Sequence, residues 1–93
     1  MAIGIDSPDG VELNTDVLYE KCFPLTEVKK QEDVFSMMGE PMPVTLRRLS
    51  KKGRLSPITG EYVRLEVAVG ATGQLYTSVQ ACRRFIERLN GKL

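Results

Sequence analysis

Five cations crowd into one short stretch of this 93-residue chain: Arg47, Arg48, Lys51, Lys52 and Arg54. Fixed positive charge at that density neutralises a polyanion such as a phosphate backbone. An arginine fork at Arg47 or Arg48 can also bond a guanine edge through two parallel hydrogen bonds. Thr45, just upstream, is suited to touch a phosphate or a thymine methyl.

Other chemistries find little support. The chain has no histidine and no tryptophan, so it lacks a Ser-His-Asp or Cys-His arrangement and any imidazole metal ligand. Its two cysteines, Cys22 and Cys82, cannot alone form a four-thiolate zinc site and are too few for a disulfide lattice. Gly70-Ala71-Thr72-Gly73 lacks the lysine and following helix of a phosphate loop, and reads as a hairpin turn. No catalytic residue, metal or cofactor is expected, and the chain is not expected to be an enzyme. The apolar runs fall far short of the roughly 20 residues that span a bilayer. The start, Met1 to Asp6, has neither the basic lead nor the apolar stretch of a signal peptide. These features predict a reduced, cytoplasmic domain without a membrane partner.

Composition agrees with one small domain: 42% hydrophobic, 27% charged, formal net charge +1. The total hides a split. Residues 1–46 carry three lysines against nine acids, and residues 47–93 carry ten basic residues against three acids. Either the basic half meets an external polyanion, or the halves neutralise each other in the fold.

The elements that must position the cations follow from periodicity and turn residues. Residues 1–24 read as a lead-in, with Gly4, Pro8 and Gly10 loose and a short helix over Asp16–Cys22 capped by Asn14 or Thr15. Val17 and Leu18 would give that helix an apolar side. Pro24 breaks the segment, and residues 25–91 form the main domain. A helix starts in Leu25–Lys30 with Thr26 as cap, and Gly39 ends whatever follows. Met37, Met38 and Met42 read as core filling, with an adaptable apolar patch for a partner as the alternative. Pro43 suits the first position of the next helix; Val44, Leu46 and Leu49 give it an apolar stripe, and Gly53 terminates it. Its other face holds Thr45, Arg48 and Lys52, flanked by Arg47 and Lys51. Arg54–Gly60 reads as a loop. Tyr62–Val69 alternates as a strand, with Val63, Leu65, Val67 and Val69 on one face; it turns at residues 70–73 and returns through Gln74–Thr77. Thr77 and Gln80 have the spacing of a capping box. The last helix buries Val79, Cys82, Phe85, Ile86 and Leu89, leaves Arg83, Arg84 and Arg88 as a solvated face, and stops at Gly91.

Helix, turn, short basic helix, β-hairpin, helix is the element order of a small α+β winged helix-turn-helix domain, whose basic helix enters the major groove. The residues Pro43-Val44-Thr45-Leu46-Arg47-Arg48-Leu49 … Gly53, Val63-Arg64-Leu65-Glu66, Val69-Gly70, Tyr76-Thr77-Ser78 and Arg84-Phe85 resemble the excisionase and MerR-type winged-helix pattern. They are also similar to a bacterial domain family of unknown function, known mainly from planctomycetes. The resemblance covers roughly residues 25–90. It implies that Thr45, Arg48 and Lys51 face DNA and that Arg64 and the Gly70–Gly73 turn form the wing. The loop Arg54–Gly60 is longer than in the shortest members and either adds a contact through Arg54 or is slack. Leu49 stands where such families often have an aromatic residue, and the wing tip carries no arginine.

Two functions follow as expectations. The first is sequence-specific binding of double-stranded DNA by Thr45, Arg47, Arg48, Lys51, Lys52, Arg54 and Arg64, in a small transcription regulator or an excisionase-like recombination factor. Such a small domain is expected to dimerise or to act in a cooperative array on DNA, with a recombinase as a further partner. The alternative is a protein-interaction module of winged-helix shape that holds an acidic protein.

Overall fold

The structure is a computed structural model and describes residues 11–92; the readings for residues 1–10 lie outside that range. Asn14 opens the first turn of the described residues, its Oδ1 accepting from the Asp16 N–H at 3.0 Å. This turn is a 3₁₀ helix over Thr15–Tyr19, which buries Val17 and leaves Leu18 exposed. Cys22 is not in it: Cys22–Pro24 form strand β1. Leu25–Lys30 is a second 3₁₀ segment whose cap position is Pro24, with no side-chain cap bond, so Thr26 does not cap it. Helix α1 (Glu32–Met37) and helix α2 (Pro43–Lys51) follow. Strands β2 (Arg54–Leu55), β3 (Tyr62–Val63), β4 (Ala68–Val69) and β5 (Leu75–Ser78) then lead into helix α3 (Val79–Leu89).

The strands form two antiparallel sheets, one in the order β1-β5-β4 and one pairing β2 with β3. The result is a small α+β domain with a radius of gyration of 12.7 Å. Among the described residues no helix is long and apolar enough to cross a membrane.

The continuous strand expected over Tyr62–Val69 is broken. Val63, Leu65 and Val67 all point inward as alternation requires, but between the sheets the backbone bonds elsewhere. The Leu65 N–H donates to the Leu49 carbonyl at 3.0 Å, and the Val67 N–H donates to the Glu12 carbonyl at 2.9 Å. Ala68 is then buried too, and Val69 faces out. Two successive inward residues break the period of 2 and mark the crossing between cores. Val67 belongs to the main cluster with Leu46 and Phe85, whereas Ala68 packs with Val17 and Ala81.

The expected loop Arg54–Gly60 likewise begins as β2 and is the start of a hairpin. Its turn is wound on Ser56, whose hydroxyl accepts from the N–H groups of Ile58 and Thr59 and donates to the Leu89 carbonyl at 2.7 Å. The capping residue of α3 is Ser78, one position after the expected Thr77. Its Oγ accepts from the Ala81 N–H at 2.8 Å. Thr77 instead donates to the Glu66 carbonyl.

From Val11 onward the lead-in is part of the packed unit. Val11 and Phe23 lie in the main cluster, and β1 pairs with β5. Met37 and Met38 pack against the same core and Cys82 is buried in it, whereas Met42, expected there too, is exposed just ahead of Pro43.

Burial pushes the Cys82 thiol up to about 12, with a weaker opposing pull from the Thr77 hydrogen bond. Cys22, by contrast, is exposed on β1. One thiol per chain is therefore expected to react promptly with an aromatic disulfide reagent at pH 8 in the native protein, and both in denaturant. Prompt reaction of both in the native state would contradict this packing.

The turn into α2 carries strain. After α1, Gly39 (φ +77°) and Glu40 (φ +58°) are both left-handed, and the Glu40 N–H closes on the Phe35 carbonyl at 2.7 Å. Glycine adopts that conformation freely and glutamate does not. Glu40→Gly is expected to stabilise the fold by about 0.5 kcal/mol in urea denaturation, net of the added freedom of the unfolded chain. A loss of stability would show that the glutamate side chain holds the turn.

Candidate nucleic-acid interface

Helix α2 begins with Pro43 in its first turn, where the missing N–H costs nothing. The Met42 carbonyl accepts from the N–H groups of Thr45 and Leu46. At the far end the N–H groups of Lys52 and Gly53 converge on the Arg48 carbonyl, at 2.9 and 3.3 Å. Gly53 has φ +77°, and a Cβ there would collide with the Val63 carbonyl oxygen; no other residue fits this corner.

The last turn is tied to the body of the protein. Leu49 and Ser50 carbonyls accept from the Leu65 and Glu12 N–H groups, and the Ser50 hydroxyl donates back to the Arg47 carbonyl at 2.7 Å. Leu46 and Ser50 are buried and Leu49 packs on the core. Along a helix these three positions define one side, so the opposite side is fixed outward by the same bonds.

That outward side is centred on Val44, Arg47, Arg48 and the half-buried Lys51, which recur at helical spacing. With Lys52 they line one open depression of about 200 Å³. Val44 is 61% exposed and so is not part of the expected apolar stripe. Residues two apart on a helix point almost oppositely, so a stripe holding both Val44 and Leu46 cannot be buried. Thr45 stands on the flank, half-buried.

The remaining candidates gather at the two ends of the helix. Arg54 is exposed on β2, immediately past Gly53, and the exposed Arg64 runs its side chain beside Gly53. The 70–73 turn lies at the other end, where Gln74 and Leu75 share a depression of about 280 Å³ with Pro43, Val44 and Arg47. The structure therefore places two hairpins near α2, where one wing was expected. β2–β3 departs from its carboxyl end, and the β4–β5 turn lies beside its amino end.

The charges sort themselves in an informative way. The ion pairs among the described residues with resolved geometry join α3 to two glutamates. Arg84 meets Glu20 at 2.7 Å and also Glu66, and Arg88 meets Glu66 at 3.5 Å. Ser78 donates to Glu20, and the Asn14 amide to Glu66. The Arg84 hydrogen bond holds the Glu20 carboxyl below its ordinary value against a smaller opposing effect of burial, with help from Ser78. Bonds to both glutamates push the Arg84 guanidinium up. Arg84 is thus an internal clasp, not the solvated residue expected from sequence; Arg83 stays exposed. No sequence signal exposed this cluster, whose partners lie up to 64 residues apart.

Arg47, Arg48, Lys51, Lys52 and Arg54 make no ion pair among the described residues. Glu66, one of the acids near enough in sequence to serve them, is committed to α3. Among the described residues no group of three His, Cys, Asp or Glu side chains is placed to hold a metal ion.

In comparisons with known proteins, no family model, no curated protein and no solved structure matches the chain.

Proposed function

We propose that this chain is a non-enzymatic domain that binds double-stranded DNA, with α2 in the major groove in the manner of a winged helix-turn-helix. The cations of α2 stand outward with no carboxylate partner among the described residues, and this is the observation that carries the reading. Lys51 and Lys52 neutralise phosphates, and Arg47 and Arg48 do so while also reaching base edges. β2–β3 follows α2 directly and takes the place of the wing, with Arg54 and Arg64 at the flanking backbone. A single domain of this size binds modestly, so side-by-side copies on repeated half-sites supply the rest. The corresponding roles are those of a small transcription regulator or an excisionase-like factor that assists a recombinase.

Fluorescence anisotropy of a labelled random-sequence duplex, titrated at rising salt, tests the proposal. Log affinity is expected to fall linearly with log salt, with a slope on the order of −4 if four or five cations reach phosphate. A folded protein with no detectable duplex binding at low salt would refute it and would point to an acidic protein as partner.

A further inference from the structure

We infer that Val44 reads a base, by apolar contact with the C5-methyl group of a thymine in the major groove. The inference rests on the DNA reading above and goes beyond it by naming a base. Sequence alone gave the methyl contact to Thr45, but Thr45 stands on the flank of α2 and Val44 on its outward crest.

Val44 precedes Arg47, Arg48 and Lys51 by three, four and seven positions, so the helix presents one isopropyl group framed by three cations. A β-branched residue at an exposed helical site contributes neither propensity nor burial to the fold. Isolated exposed apolar residues are common on protein surfaces. This one, however, borders both depressions that flank the helix, of about 200 and 280 Å³, and Arg47 is shared by both as well. A ligand seated against α2 therefore meets an apolar group first and positive charge around it. In the major groove thymine offers the matching arrangement, since its methyl is the one apolar group displayed there and the phosphates lie to either side. An acidic protein with a protruding apolar side chain is the competing occupant.

The test begins with sites selected from a random duplex pool by the wild-type protein. Each selected duplex is then made with deoxyuridine in place of thymidine at single positions, which deletes one methyl and leaves the hydrogen-bonding edge unchanged. Wild-type protein is expected to bind about fourfold more weakly when the contacted methyl is lost. Val44→Ser is expected to bind both forms alike, to keep the wild-type salt slope, and to keep its circular dichroism spectrum. If wild-type protein binds every uridine form as well as its thymidine parent, or if Val44→Ser keeps the fourfold gap, the inference is overturned while the DNA reading stands. If folded wild-type protein selects no duplex at low salt, both are overturned.

Discussion

Replacing Arg48 and Lys51 together by alanine is expected to reduce the salt slope of duplex binding by about 2 and to weaken binding on the order of 50-fold at 0.1 M salt. Each cation that meets a phosphate releases about one counterion, and two are removed. The variant should unfold at the wild-type urea concentration. Neither side chain makes an ion pair among the described residues, and alanine is the strongest helix former. Binding and folding therefore separate cleanly at these positions. Glu32→Ala with Asp33→Ala, exposed in the first turn of α1, serves as a control of opposite charge and should leave the slope unchanged. An unaltered slope in the Arg48/Lys51 variant would remove α2 from the interface.

Arg84→Met is expected to show the opposite pattern, a loss of about 2 kcal/mol of stability with little effect on the salt slope. The guanidinium bonds Glu20 through two nitrogens and Glu66 through two. The glutamate side chains are 18% and 13% exposed, and that of Arg84 is 35% exposed. Removing Arg84 strands two poorly hydrated carboxylates, which costs more than losing a surface pair and less than breaking a fully buried one. Lysine would not restore the clasp, because an ammonium cannot present the planar fork that serves two carboxylates at once.

The clasp also has a pH signature. A carboxyl held below its ordinary value stabilises the fold above the unfolded value, 4.5 for glutamate, and that contribution fades as pH falls through the lower folded value. Wild-type stability should accordingly fall below pH 4.5 more steeply than that of Arg84→Met, measured as urea midpoints between about pH 6 and 3. Parallel curves would mean that the Glu20–Arg84 contact contributes nothing to folding.

Much of the scaffold was legible because short-range physics writes it. Pro43 and Gly53 bracket α2, the spacing of Cys82, Phe85, Ile86 and Leu89 specifies α3, and the glycines at 70 and 73 locate a hairpin turn. One error is a displacement of a single position, and the others come from long-range pairing. Ser78 takes the cap from Thr77 because it is the last residue of β5, directly before α3, while the Thr77 hydroxyl is committed to the Glu66 carbonyl. The alternation through Val63, Leu65 and Val67 is genuine, but it does not reveal that the chain changes sheets at Val67–Ala68. Pairing of residues 22–24 with 76–78 leaves no local trace either, so a strand passed for the end of a helix.

At the candidate site, the cluster of cations was plain and its face was not. Val44 was grouped with Leu46 by composition, although helical geometry sets them on opposite sides. The division of charge between an internal clasp and a helix whose cations have no ion-pair partner among the described residues could not be read at all. Glu20 and Glu66 look like any other acids until tertiary structure brings them to Arg84.

The most direct test is an NMR titration of the isotopically labelled chain with a short duplex at low salt. Amide and side-chain shifts are expected to concentrate over residues 43–54 and at Arg64, while Glu20, Glu66 and Arg84 hold their positions. Shifts centred on the acidic surface of α1, with residues 43–54 undisturbed, would contradict the account.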